Sequence, residues 1–271
     1  MIKVDDKIVE IDHFPDGTLK IDVDIDKINA GSNFNITWKF ENNEELIALI
    51  YIVNHLRRIN KFTIFMLEMD YIPNARMDRV KSNNDVFTLK YFADIINSLN
   101  FVRVFVLDPH SSVSEALINN IVVKDLTPYK EKVLKEIGDN IVVYFPDASA
   151  KKKYEDLFKG FKMIYGVKHR NWVTGKIEGL EVITEDLDLK DQTVLMWDDL
   201  ISYGGSMYYG ALKLKELGVS NIYAYASHTE DSILDKEKGT LIKLLENDTV
   251  ERLFTTNSLI TKEHEKITIL D

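Results

Sequence analysis

The chain has 271 residues, a formal net charge of -10, 45% hydrophobic content and no cysteine. That is enough apolar material for one large or two modest cores, and the missing thiols exclude a disulfide framework and a thiolate metal site. The acidic balance argues against a general nucleic-acid binder, which needs a basic surface to displace counterions, and the lack of an apolar amino-terminal run points to a cytoplasmic protein without a membrane span.

Met1 to Asp26 alternates apolar and polar residues around Pro15-Asp16-Gly17, which predicts an antiparallel hairpin. Helix is predicted over Glu44 to Arg58, strand over Phe62 to Leu67, helix over Thr88 to Leu99 and strand over Val102 to Leu107. A polar stretch, Thr127 to Asp139, then separates two halves, read as domains 1–133 and 134–271. Strands follow at Ile141 to Phe145, Lys162 to Val167, Val194 to Trp197 and Ile222 to Ala226, with a helix over Ser206 to Leu217 that Gly218 ends. Such alternation of strands and amphipathic helices predicts an α/β fold of two doubly wound parallel-sheet domains.

Chemistry-bearing residues recur where these strands stop. After Val194 to Trp197 come Asp198, Asp199 and then Gly204-Gly205-Ser206 at a helix start. The carboxylates suit sugar hydroxyls or a hydrated magnesium ion, and the glycine turn with a helix N-terminus suits a phosphate, with Ser206 as the cap. An ordinary turn carrying a surface acidic pair has the same residues. Asp108-Pro109-His110 sets a carboxylate and an imidazole at another strand end, where they suit a divalent ion or cap a turn. Pro146-Asp147-Ala-Ser-Ala-Lys151 opens a further helix with a carboxylate at its mouth. Lys168-His169-Arg170 begins a polar loop through Gly175, whose two cations suit closure over a phosphoryl group or form a basic surface turn.

In order and spacing these segments resemble the phosphoribosyl pyrophosphate synthetase (ribose-phosphate diphosphokinase) family from about Phe14 to Asp271. Phe14-Pro-Asp16-Gly looks like its adenine-contacting loop, and Tyr71-Ile-Pro-Asn-Ala-Arg76-Met-Asp78-Arg79 like its ATP-contacting arginine motif. Asp108-Pro-His110 and Pro146-Asp147 match the segments serving magnesium and the ATP phosphates, and Lys168 and Arg170 fall on the cations of the catalytic loop. Asp198 to Ser206 falls on the ribose-phosphate loop, Ser227-His228-Thr229 on the turn closing the next strand, and Thr255-Thr-Asn257 on a late turn. The resemblance implies two domains of the type I phosphoribosyltransferase kind, ATP as co-substrate, magnesium as cofactor and a homo-oligomer. It also implies transfer of the β,γ-diphosphate of ATP to the anomeric hydroxyl of a 5-substituted ribose, with release of AMP. In that scheme Lys168, Arg170 and Arg76 are catalytic, while Phe14, Asp16, Arg76, Asp78 and His110 hold ATP. Asp108, His110 and Asp147 serve the metal, and Asp198, Asp199, Ser202, Tyr203, Gly204, Gly205 and Ser206 hold the ribose and its 5-phosphate.

Departures from the family pattern concentrate at the acceptor. Ser202 and Tyr203 stand where the pattern has a third aspartate and a threonine, so a small phosphate donor becomes a ring suited to a longer substituent. Both ribose 5-phosphate and ADP-ribose are therefore coherent acceptors. Thr18 and Met77 replace a glutamate and a glutamine in the ATP motifs. A phosphoribosyltransferase and a non-catalytic associate of the synthetases are the competing classes. The first has no use for the Arg76 motif, and Lys168, Arg170, His110 and Asp147 weigh against the second.

Overall fold

Phe34, Ile36 and Trp38 alternate with polar residues and are all buried, and this strand seeds the first parallel sheet. The computed structural model describes residues 1–25, 33–170 and 177–270, with the backbone alone at 168–170 and 177–179. It divides into two units, Met1–Asp125 and Leu126–Asp271, each with its own sheet.

Unit 1 runs β1 (Ile2–Val4), β2 (Lys7–Ile8), β3 (Glu10–His13), β4 (Leu19–Asp22), β5 (Asn33–Trp38), α1 (Glu44–Ile59), β6 (Ile64–Glu68), α2 (Thr88–Ser98), β7 (Arg103–Leu107), α3 (Ser112–Leu117) and β8 (Ile121–Lys124). Strands β5, β6, β7 and β8 are parallel neighbours in that order, and β1 with β2 extends the β5 edge in antiparallel fashion. The expected hairpin is present as β3 and β4, paired Glu10 to Asp22 through His13 to Leu19. Helix α1 buries Ala48, Leu49, Ile52, Val53 and Leu56, spaced as one helical face, in the same core as Phe65, Leu67, Val104 and Val106.

Unit 2 runs α4 (Thr127–Ile137), β9 (Val142–Phe145), α5 (Ala148–Tyr154), β10 (Lys162–Arg170), β11 (Ile177–Ile183), β12 (Thr193–Ile201), α6 (Gly205–Glu216), β13 (Asn221–Thr229), α7 (Leu241–Glu246), β14 (Arg252–Thr256) and β15 (Ile267–Leu270). A short 3-10 turn, Asp231–Leu234, follows β13. The sheet order is β11-β10-β9-β12-β13-β14-β15, parallel except for β11. Alternate residues feed two cores: Tyr144, Met196 and Ala224 pack on one face, and Phe145, Trp197 and Tyr225 on the other. Val133 of α4 joins the second of these cores, so α4 goes with unit 2 as a whole.

Three elements run further than their sequence signals, the first being β13, which continues to Thr229, so Ser227, His228 and Thr229 lie within the strand and not in a turn that closes it. Strand β12 continues to Ile201 beside β13, so Asp198 and Asp199 lie within the strand and not after it. Strand β10 likewise continues through Arg170, because β11 supplies an antiparallel partner: Lys168 pairs with Leu180, and the register shifts between His169 and Arg170. The backbone of Lys168-His169-Arg170 is therefore strand where a loop was expected, and the remainder of that loop, 171–176, lies outside the described residues. Among the described residues no helix is long and apolar enough to cross a membrane.

Candidate functional site

In an open α/β sheet, ligands gather at the carboxyl ends of strands where the winding order reverses. Unit 2 has that point between β9 and β12, since the chain passes from β9 outward to β10 and then returns to β12 on the other side. Asp147 leaves β9 there, and Asp198 and Asp199 occupy the end of β12. The Asp147 carboxylate accepts from the amides of Ser149 and Ala150 at 3.1 and 3.0 Å, which caps α5. Asp199 is 7% exposed, and Lys153 Nζ lies 3.6 Å from its Oδ2. The Asp199 amide donates to Asp198 Oδ1 at 3.0 Å. Burial, then the charge of Asp199, with a smaller push from Asp147, raises the Asp198 carboxyl well above the usual carboxylate range. The three carboxylates thus form one electrostatic group, with the Lys153 ammonium beside Asp199.

The turn that follows is held from outside. Gly204 has φ of +85° and is the N-cap of α6, and a Cβ there would sit 2.4 Å from Leu241 Cβ. Tyr203 anchors it: its carbonyl accepts from the Thr240 amide and hydroxyl, both at 2.8 Å. Ser206 therefore lies inside the first turn of α6, and the expected serine cap is replaced by Gly204, with no side-chain capping bond. A Cβ on Gly205 would meet nothing within 4 Å, so open space lies over the first residue of the helix. The Tyr203 ring is 39% exposed, with Lys238 Nζ 5.9 Å from its centroid. Ser202 Oγ lies 3.1 Å from Ser232 Oγ, which in turn donates to Glu230 at 3.0 Å. Behind the turn His228 is buried, with Nδ1 2.7 Å from Ser258 Oγ, and Thr256 and Ser258 hydroxyls both donate to the Ser227 carbonyl.

Unit 1 brings a second set together. The segments after β6 and β7 leave neighbouring strands and stay joined, the Leu107 amide donating to the Asp70 carbonyl at 3.0 Å. Asp78 is 8% exposed, and Arg79 Nε donates to its Oδ1 at 2.8 Å. That bond, with a lesser electrostatic pull from His110, holds the Asp78 carboxyl below its usual range despite burial. The arginine motif and the Asp108-Pro-His110 turn are thus adjacent. Asp108 is 1% exposed with φ of +43°, whereas His110 and Arg76 are exposed. Phe14, 50% exposed, and Asp16 sit at the β3–β4 turn, where Thr18 donates to Asp16 through both its amide and its hydroxyl. The hydroxyl bond, more than the amide bond, lowers the Asp16 pKa.

Lys153, Lys238, Ser232 and Glu230 were not singled out individually by sequence reasoning. Lys153 was one of a run of three lysines, and the others reach the site only through the fold. Lys168 and Arg170 are placed by their backbone alone. Among the described residues no three His, Asp or Glu side chains are grouped to hold a metal ion.

No protein-family model matches the chain. It is similar to ribose-phosphate pyrophosphokinase 1 of Listeria innocua, 24% identical over 264 residues that cover 95% of this chain and 79% of that one. It is also similar to the ribose-phosphate pyrophosphokinase of Corynebacterium ammoniagenes, 26% identical over 264 residues with the same shares covered. Among solved structures, phosphoribosylpyrophosphate synthetase from Mycobacterium smegmatis aligns with a TM-score of 0.72 at 18% identity, covering 97% of this chain and 85% of that one. The fold is accordingly the mixed α/β, parallel-dominated fold of that synthetase.

Proposed function

We propose that the chain is an ATP-dependent diphosphokinase that transfers the β,γ-diphosphate of ATP to the anomeric hydroxyl of a 5-substituted ribose and releases AMP. The observation that carries this reading is the Asp198/Asp199 pair beside the Gly204 turn, at the switch point of a sheet like that of a phosphoribosylpyrophosphate synthetase. The carboxylates accept hydrogen bonds from ribose hydroxyls, and the amides at the start of α6 receive the 5-phosphate over Gly205.

In the reaction the anomeric oxygen forms a bond to the β-phosphorus, the bond from that phosphorus to the α-bridging oxygen breaks, and the hydroxyl proton is lost. Positioning and charge neutralisation dominate phosphoryl transfer, so no nucleophilic side chain is required. Arg76 contacts ATP and, with Lys168 and Arg170, balances the transferring charge, while Phe14, Asp16, Asp78 and His110 hold the nucleotide. The donor chemistry fits magnesium as a sparsely ligated ion: carboxylates stand where β9 and β12 reach the site, and magnesium commonly binds through one or two carboxylates plus phosphates. Asp147 in unit 2, and separately Asp108 with His110 in unit 1, would offer ligands to such an ion, which when bound would neutralise phosphate oxygens. A cytoplasmic homo-oligomer is part of the reading.

Ribose 5-phosphate is the acceptor that the relatives' names indicate. A specific observation favours ADP-ribose as a second: the Tyr203 ring is exposed at the turn, with the Lys238 ammonium beside it, which suits a substituent extending beyond one phosphate. The test is AMP formation from Mg-ATP with each acceptor in parallel, with products identified by mass. AMP with either acceptor supports the kinase and names its substrate, whereas no AMP with both would replace it with the non-catalytic class.

A further inference from the structure

Tyr144 of β9 is 0% exposed, and its hydroxyl has no hydrogen-bond partner. Leaving a buried hydroxyl unpaired is costly, so such groups in folded proteins call for a reason. Two glycines make the room for this one. Gly166 lies in the middle of β10 and Gly210 in the middle of α6, neither at a turn nor with positive φ. A Cβ on Gly166 would come 2.6 Å from the Tyr144 hydroxyl, and one on Gly210 would come 2.8 Å from both the hydroxyl and Cε1. Glycine weakens both strand and helix interiors. The chain thus accepts three unfavourable choices to keep one phenol in place.

The surroundings of that phenol are acidic. Tyr144 pairs with Met196 of β12, and both pack in the same core, so Asp198, two residues further along, shares their face of the sheet. Asp147, the N-cap of α5, follows Tyr144 just beyond the end of β9. Burial first, and then the charges of Asp198 and Asp147, hold the hydroxyl in its protonated form. It is a permanent donor beside acceptors. Because it is fully buried it cannot touch a substrate, whereas Asp198 keeps part of its surface open.

We propose that Tyr144 is a positioning residue, whose hydroxyl donates to the Asp198 carboxylate when a ribose acceptor is engaged and so fixes the oxygen that receives the sugar hydroxyl. This rests on the reading of unit 2 as the acceptor site. Gly166 and Gly210 are the space that lets the phenol stand there.

The test is Tyr144→Phe in the full chain, which keeps the ring and removes only the hydroxyl. The expected result is acceptor binding weakened about tenfold by calorimetry, with acceptor KM rising in parallel, the worth of one hydrogen bond to a charged group. The KM for ATP and the saturating kcat stay at native values, and the thermal midpoint does not fall, since an unpaired buried group has been removed. Gly210→Ala, whose methyl has the Tyr144 hydroxyl and ring edge as its three nearest neighbours and so displaces the phenol, reproduces the acceptor loss. Native acceptor affinity in a folded Tyr144→Phe variant overturns the assignment and leaves the diphosphokinase reading standing. If the native protein binds neither ribose 5-phosphate nor ADP-ribose, both are overturned.

Discussion

The backbone amide of Asp199 donates to the side chain of Asp198, so the second residue of the acidic pair holds the first in place while its own charge opposes the ionisation of its neighbour. A group whose acidity is weakened by folding retains its proton longer in the native state. Between the ordinary value of 3.8 and the raised one, stability therefore declines as pH climbs. Asp198→Asn should flatten that decline and raise the thermal midpoint at neutral pH, while turnover falls by about two orders of magnitude. Thermal unfolding across pH 4 to 8, beside a turnover assay, checks both; a lower midpoint at pH 7 would contradict the electrostatic account.

In the proposed acceptor site, Tyr203 and Lys238 would distinguish acceptors by what lies beyond the first phosphate. Lys238→Ala should weaken ADP-ribose by about three- to tenfold, the scale of a partly exposed cation–π and phosphate contact, and leave ribose 5-phosphate unaffected. Competition binding with the two ligands reads the ratio directly.

Gly204 is fixed by conformation and by space together. Gly204→Ala meets a φ of +85° and a Leu241 Cβ at 2.4 Å, so a loss of about 2–3 kcal/mol is expected, measured by denaturant unfolding. The same change at Gly205, where nothing lies within 4 Å, should leave stability within about 0.5 kcal/mol yet weaken the 5-phosphate.

Lys168→Ala should lower turnover by about a thousandfold or more with the thermal midpoint unchanged, because the proposed role is to balance charge in the transition state. Single-turnover kinetics with bound ATP measures it, and an unchanged rate would remove the synthetase mechanism.

Much of this architecture was legible in the residues. Period-two runs such as Phe34-Asn-Ile-Thr-Trp38 are clear only once burial is known, but Ile141 to Phe145 and Ile222 to Ala226 read as strands because they are apolar almost throughout, as doubly covered strands are. Asp198, Asp199 and Gly204 were readable from their order. Two features escaped for physical reasons. Ladder extension depends on a partner elsewhere in the chain, so the reach of β10 to Arg170 was invisible without β11. The Tyr144 hydroxyl is defined by two glycines 22 and 66 residues away in sequence, a relation of packing that no local pattern carries.

The ladder from Tyr165 to Arg170 has a mechanical implication. A cation on a free coil swings alone, but a backbone tied rung by rung to Ile177–Ile183 travels with its partner as a stiff two-ply ribbon, and the register shift beyond His169 is its weakest crease. Lys168 and Arg170 lie on either side of that crease, so a bend there would change the spacing between their backbones.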